Sequence, residues 1–263
     1  MLGSHPDVFS TPEVFHDDPR IESDVDLATR VNFFDFLERD PAAYVRRGSS
    51  FAAQDQVFLE FLSYLRGLSP ARYIVIDVKY NSTHHLDGPW QPVSGPPAFF
   101  SILRRHRVRV LHLTRRNYLR FYLSFTQAEL TKTWFAHAPT DECRVVVDVP
   151  KLLDRMWACR AESEAVDRSL AGYDNCLTVE YDDVFAVPGG GPAPQFLDQV
   201  GRWLSIDPES FARQPRYRKQ SMLTLRERIE NYDAVEQALR GTPFEYCLED
   251  ERIYRQSVGH PPE

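Results

Sequence analysis

The chain has 263 residues, 43% of them hydrophobic and 13% aromatic, enough apolar material for one large α/β domain or two small ones, which excludes disorder as the default. Its formal net charge of -7 argues against nonspecific nucleic-acid binding over the whole surface but leaves room for a local basic pocket. Four widely spaced cysteines, Cys143, Cys159, Cys176 and Cys247, form no CxxC pair and no zinc-finger spacing, so they read as reduced thiols of a cytoplasmic protein and no metal is expected. No apolar run reaches the roughly 18–20 residues that cross a bilayer, and no signal-like segment opens the chain.

In chain order, residues 1–13 (MLGSHPDVFSTPE) read as the tail of a helix followed by a turn, with Glu13 at a helix start. Phe33–Leu37 and Phe51–Leu65 carry apolar residues at helical spacing, the second closed by Gly67 and Pro70. Tyr73–Val78 is a β-branched run that fits a buried strand, and it is followed by a polar stretch, Asn81–Asp87, with His84 and His85. Gly88–Pro97 is a Pro/Gly loop, Phe99–Arg105 a helix and Val108–Leu113 a second buried strand.

A long helix is expected from Asn117 to Phe135 and another over Val149–Leu170. A third strand follows at Cys176–Tyr181, then a loop at Gly189–Pro194 and helices at Phe196–Leu204 and Leu223–Leu239. Strands alternating with helices predict a parallel sheet covered on both faces, within a single domain spanning residues 1–263.

The most informative stretch runs from Val110 to Ser124. A buried strand leads into Arg115 and Arg116, and then into a helix whose N-cap is Asn117, so the arginines stand at the carboxyl end of a parallel strand beside a helix N-terminus. Helical spacing from Asn117 gives Arg120, Ser124, Gln127 and Thr131, a polar stripe on a helix otherwise made of Tyr118, Phe121, Tyr122, Leu123 and Phe125. A polar stripe on an apolar helix faces a partner or a ligand. The plainer alternative leaves both arginines as surface charges and Ser124 bonded to its own helix backbone.

Arg-Asn followed by Ser eight residues after the Arg, at a strand-to-helix junction, resembles the 3′-phosphate-binding motif of sulfotransferases that use 3′-phosphoadenosine 5′-phosphosulfate (PAPS). The resemblance implies a P-loop NTPase-like three-layer fold with a central parallel sheet, PAPS as co-substrate without a metal, and Arg116 and Ser124 on the nucleotide's 3′-phosphate. Guanidinium and hydroxyl groups near a helix N-terminus suit a phosphate dianion.

Residues 4–8 (SHPDV) and 12–15 (PEVF) are similar to the segment after the phosphosulfate loop in bacterial members, and the matching Glu13 would be the catalytic base. Lys79, at the end of the Tyr73–Val78 strand, resembles a family lysine that neutralises substrate or cofactor charge; a solvated strand end is the alternative. His84 and His85 lie five and six residues past Lys79, where histidine-using members have a base a couple of residues on, so Glu13 ranks above them.

Residues 177–185 resemble a family strand end that lines the nucleotide site at Tyr181. Residues 218–220 (RKQ) and 231–232 (NY) resemble carbohydrate-type members, in which a basic loop reaches the nucleotide, here through Lys219. That likeness implies a carbohydrate or other small hydroxyl acceptor.

The family's first strand and its Arg-Ser/Thr-Gly-Ser/Thr loop, which cradles the 5′-phosphosulfate, precede the Ser-His-Pro turn. Only Met1–Gly3 do so here, which implies roughly 15–25 further upstream residues in an active form. No GxxxxGK[ST] follows to support a P-loop kinase. Two classes therefore stand: a sulfotransferase whose activity needs that loop, and a non-catalytic nucleotide- or partner-binding protein derived from the fold.

Overall fold

The computed structural model describes residues 2–15, 31–42, 45, 50–87, 95–132, 144–185, 191–211 and 223–248. It is a mixed α/β structure built on short parallel two-stranded sheets.

Leu2–Ser4 form a 3-10 helix followed by a turn, in keeping with the helix tail and turn read from the sequence, and the first strand, β1 (Val8–Glu13), replaces the helix start read at Glu13. His5 fixes the turn before it. The His5 ring accepts the Asp7 N–H at Nδ1 (3.0 Å), so its Nε2 carries the proton and donates to the Asp207 carbonyl (3.1 Å). Beyond the turn Val8, Phe9, Ser10 and Thr11 extend and pair with β2 (Tyr73–Asp77), in parallel, from Val8↔Tyr73 to Glu13↔Asp77. The register slips between Ser10 and Glu13, where Pro12 has no N–H to give to a ladder.

Among the described residues between those strands are the helices α1 (Phe33–Leu37) and α2 (Phe51–Leu68). Each starts on a side-chain cap, Asn32 and Ser50 respectively. After β2 the chain makes a 3-10 helix, Tyr80–Leu86, then α3 (Ala98–Arg105) and β3 (Val110–Thr114). α4 (Tyr118–Thr131) ends where Lys132 takes a left-handed φ of 55°, and the remainder of the helix expected to Phe135 lies outside the described residues.

α5 (Val149–Leu170) matches its expected span and begins on Asp148, which accepts the Lys151 N–H. β4 (Cys176–Glu180) pairs in parallel with β3, and Tyr181 already belongs to the short α6 (Tyr181–Val184). α7 (Pro194–Leu204) follows. The single helix expected over Leu223–Leu239 is instead two, α8 (Leu225–Arg228) and α9 (Tyr232–Leu239). Ile229 between them is extended and bridges to Val145, while the Asn231 side chain bonds both backbone groups of Val147. Those long-range bonds outweigh the local helical preference.

The two strand pairs share their faces. Ile74, Ile76, Val110 and Cys176 pack with Phe58 and Phe61 of α2 and Ile102 of α3, whereas Tyr73, Val75, Leu111 and Val179 pack with Phe196, Leu197 and Val200 of α7. Period-2 alternation along each strand produces this division. A third cluster joins α4, α5 and α9 around Leu119, Leu123, Leu152, Met156 and Val235. Cys159, Cys176 and Cys247 are free thiols, as expected; Cys143 lies outside the described residues. Among the described residues no helix is long and apolar enough to cross a membrane, and no group of His, Cys, Asp or Glu could hold a metal ion.

Candidate functional site

The strand-to-helix junction after β3 is held by Glu180. Its carboxylate accepts the Thr114 hydroxyl at 2.6 Å and the Arg116 N–H at 2.8 Å, because Thr114 and Glu180 stand opposite each other in the ladder. Asn117 then caps α4 as the sequence predicts, accepting the Arg120 N–H (3.0 Å) and donating to the Cys247 carbonyl (3.2 Å). Tyr246 donates to the Arg116 carbonyl (2.8 Å). The N-terminus of α4 is therefore locked to the C-terminal part of the chain.

Within this frame the two arginines part company. The Arg116 side chain is 68% exposed and its Nε lies 3.8 Å from Glu180. It is Arg115 that approaches Ser124, donating to the Ser124 hydroxyl at 3.4 Å, with its guanidinium 4.7 Å from the centre of the Tyr181 ring. Ser124 in turn donates to the Arg120 carbonyl (2.9 Å). The back-bond of the plainer reading is thus present, and it leaves the hydroxyl oxygen as an acceptor for a guanidinium.

The rest of the stripe is engaged within the protein, and Thr131 at its end is exposed. Arg120 and Gln127 are buried, and Gln127 accepts from Arg228 at 2.9 Å, itself a buried arginine. Thr131 donates back to the Gln127 carbonyl (2.9 Å). Burial pushes the Tyr181 phenol above its usual pKa, with Arg115 opposing, so Tyr181 is a neutral aromatic wall beside a cation. Glu180, Tyr246 and Arg228 were not assigned to the site from the sequence, and Arg115 was placed at the junction without a role on the 3′-phosphate. Glu180 had a legible signal in its place at a strand end; Arg228 had none, since only the tertiary fold brings it to Gln127.

A second group sits at the carboxyl ends of β1 and β2. The Ser82 hydroxyl donates to Glu13 at 3.4 Å, and Glu13 is in register with Asp77. Lys79 reaches Asp77 at 2.8 Å, with both side chains about half exposed (53% and 51%). This contact belongs to the strand end itself, as in the alternative reading of Lys79. His85 packs on Phe15 and Phe34, and its ring lies 4.2 Å from that of His84. His85 therefore serves the aromatic core more than an open site. Lys219 lies outside the described residues.

The Tyr80 hydroxyl donates to the Leu113 carbonyl (2.8 Å), linking the end of β2 to the end of β3. Burial, reinforced by Asp167 and Glu180, drives the Tyr80 phenol well above its ordinary pKa, so it remains a donor. The Glu13 group and the Arg115–Ser124 group thus stand on the carboxyl ends of parallel strands, the edge at which such sheets bind ligands. No family model, no curated protein and no solved structure matches the chain.

Proposed function

We propose that the chain belongs to a PAPS-dependent sulfotransferase with a P-loop NTPase-like sheet, acting on a hydroxyl acceptor, with carbohydrate as the first acceptor class to try. The observation that carries the reading is the β3–α4 junction: two arginines at the end of a parallel strand, a capped helix N-terminus, and Ser124 accepting from Arg115. Backbone N–H groups at a helix start, a guanidinium and a hydroxyl are the donors a phosphate dianion takes. Arg116 joins them when its exposed side chain turns from Glu180, an exposed contact that costs little to break.

Sulfuryl transfer forms a bond between the acceptor oxygen and sulfur and breaks the bond between sulfur and the phosphate oxygen, which leaves as adenosine 3′,5′-bisphosphate. Glu13 receives the acceptor's proton, and Ser82 orients the carboxylate that does so. Lys79, beside Asp77, supplies positive charge at the same strand edge. Positioning and electrostatics carry such a transfer without a metal.

The test is sulfuryl transfer from PAPS to a panel of sugars, followed by release of adenosine 3′,5′-bisphosphate, in a form extended upstream to include the phosphosulfate loop that the resemblance requires. Glu13→Gln is expected to lose turnover by about 10²-fold or more while binding the nucleotide as well as the parent. Nucleotide binding without transfer to any acceptor would favour the second reading, a nucleotide-binding protein derived from the same fold.

A further inference from the structure

Away from the β3–α4 junction, β3, β4 and the end of α5 border a cavity of about 260 Å³. His112 and its ladder partner Thr178 line it together with Cys176, all on one face of the strand pair, and Asp167, Leu170 and the turn 171–174 close it from the helix side. The volume is about eight or nine times the share of one water molecule in the liquid, below the range of drug-sized pockets, and suits a ligand of a few non-hydrogen atoms. The cavity sits toward the start of β4, whereas Glu180 ends that strand and the Arg115–Ser124 contact lies past the end of β3, so the site is separate from the nucleotide reading.

His112 gives the cavity its chemistry. The residue is 3% exposed, its Nε2 has no hydrogen-bond partner among the described residues, and its Nδ1 lies 3.7 Å from the Asp167 carboxylate, too far for a hydrogen bond. Buried polar nitrogens are normally paired, so an unfilled place between two groups of the cavity wall marks a position for a ligand atom. Burial lowers the His112 pKa, so at neutral pH the ring is uncharged and offers an acceptor. The charge around it is negative. Asp167 and Asp174 bring carboxylates, burial raises the Cys176 thiol and keeps it neutral, and among the described residues no lysine or arginine lines the cavity. Arg104 is engaged nearby, donating to the Ser169 and Ala171 carbonyls (2.9 and 2.8 Å) with its guanidinium 5.1 Å from the centre of the Tyr173 ring.

We infer that this cavity binds a small primary amine in its ammonium form. An ammonium group has three donors and no acceptor, which matches a carboxylate and a neutral imidazole nitrogen facing one space. Seated between Asp167 Oδ1 and His112 Nδ1, it lies within hydrogen-bond distance of both and fills the 3.7 Å gap that those two leave open. The ring proton then resides on Nε2, in a ring whose centre is 5.6 Å from that of Tyr80. The amine's short carbon chain rests on Leu170 and Tyr173. A neutral alcohol would leave the carboxylates uncompensated, and a quaternary ammonium has no N–H to donate.

The probe is n-butylammonium, added to the full chain at millimolar concentration and neutral pH and followed by amide and histidine-ring nitrogen chemical shifts. The Gly172, Asp174 and Thr178 amides and the His112 ring nitrogens are expected to move together and to saturate. n-Butanol and tetramethylammonium at the same concentration are expected to leave them in place. Asp167→Asn should weaken n-butylammonium binding by about tenfold or more, whereas Asp154→Asn, at an exposed position of the same helix, should not. Absence of a saturable shift overturns the inference. So does equal binding of either control compound, or an undiminished affinity in Asp167→Asn.

Discussion

Glu180 stands opposite Thr114 in the β3–β4 ladder, and its carboxylate receives the Thr114 hydroxyl and the Arg116 N–H together. One side chain therefore fixes the backbone that presents both arginines. Its negative charge also competes with any anion that Arg116 would bind.

Glu180→Gln keeps one acceptor oxygen and removes the charge. The variant is expected to lose about 1–3 kcal/mol of stability, read from the denaturant midpoint, because hydrogen bonds to a charged acceptor are replaced by weaker ones. Its affinity for adenosine 3′,5′-bisphosphate is expected to rise several-fold, since Arg116 is released. A fall in affinity would show that Glu180 holds Arg116 in its binding position.

Asn117 is buried and serves both sides of the junction, capping α4 and donating to Cys247. Asn117→Ala is expected to destabilise by about 1–3 kcal/mol through the lost cap and the unpaired Arg120 N–H. Asn117→Asp retains the cap and is expected to be less destabilised, but it places a carboxylate at the anion site and weakens nucleotide binding. Equal nucleotide affinity in the aspartate variant and the parent would move the anion away from the start of α4.

His112 lies in β3 at 3% exposure, with Nδ1 3.7 Å from Asp167. Burial lowers its pKa below the usual 6.5, Asp167 opposes and Arg116 assists. The unfolded chain then binds the proton more readily than the folded one. The stability that neutral His112 contributes is complete above about pH 6.5 and is lost as pH falls through the lowered folded value. Denaturant midpoints taken from about pH 7.5 down to pH 5 should fall more steeply for the parent than for His112→Asn. Parallel slopes would mean that His112 takes up its proton equally in both states.

Much of the scaffold was legible. β2 announces itself through a β-branched run, β3 and β4 are read as short buried strands, and α2 and α7 show apolar residues at helical spacing. β1 was hidden because its strand character depends on a partner 65 residues later and because Pro12 interrupts its pattern. The break between α8 and α9 was hidden for a similar reason, as Ile229 and Asn231 bond to Val145 and Val147, far back in the chain.

In the site, the spacing from Arg116 to Ser124 was readable, but the direction of each side chain was not. Successive residues leaving a strand point different ways, and here the backbone held by Glu180 sends Arg115 to Ser124 and Arg116 outward. The pairing of Glu13 with Ser82 likewise depends on the β1–β2 register, which residue spacing along the chain does not encode.

The most direct test compares adenosine 3′,5′-bisphosphate with adenosine 5′-monophosphate by calorimetry, in the parent chain and in Arg115→Ala, Arg116→Ala and Ser124→Ala. In the parent the 3′-phosphate should strengthen binding by about tenfold or more, equivalent to ~1.4 kcal/mol, and that advantage should shrink in all three variants. Equal affinity for the two nucleotides in the parent, or an advantage untouched by the substitutions, would contradict a 3′-phosphate site at the β3–α4 junction.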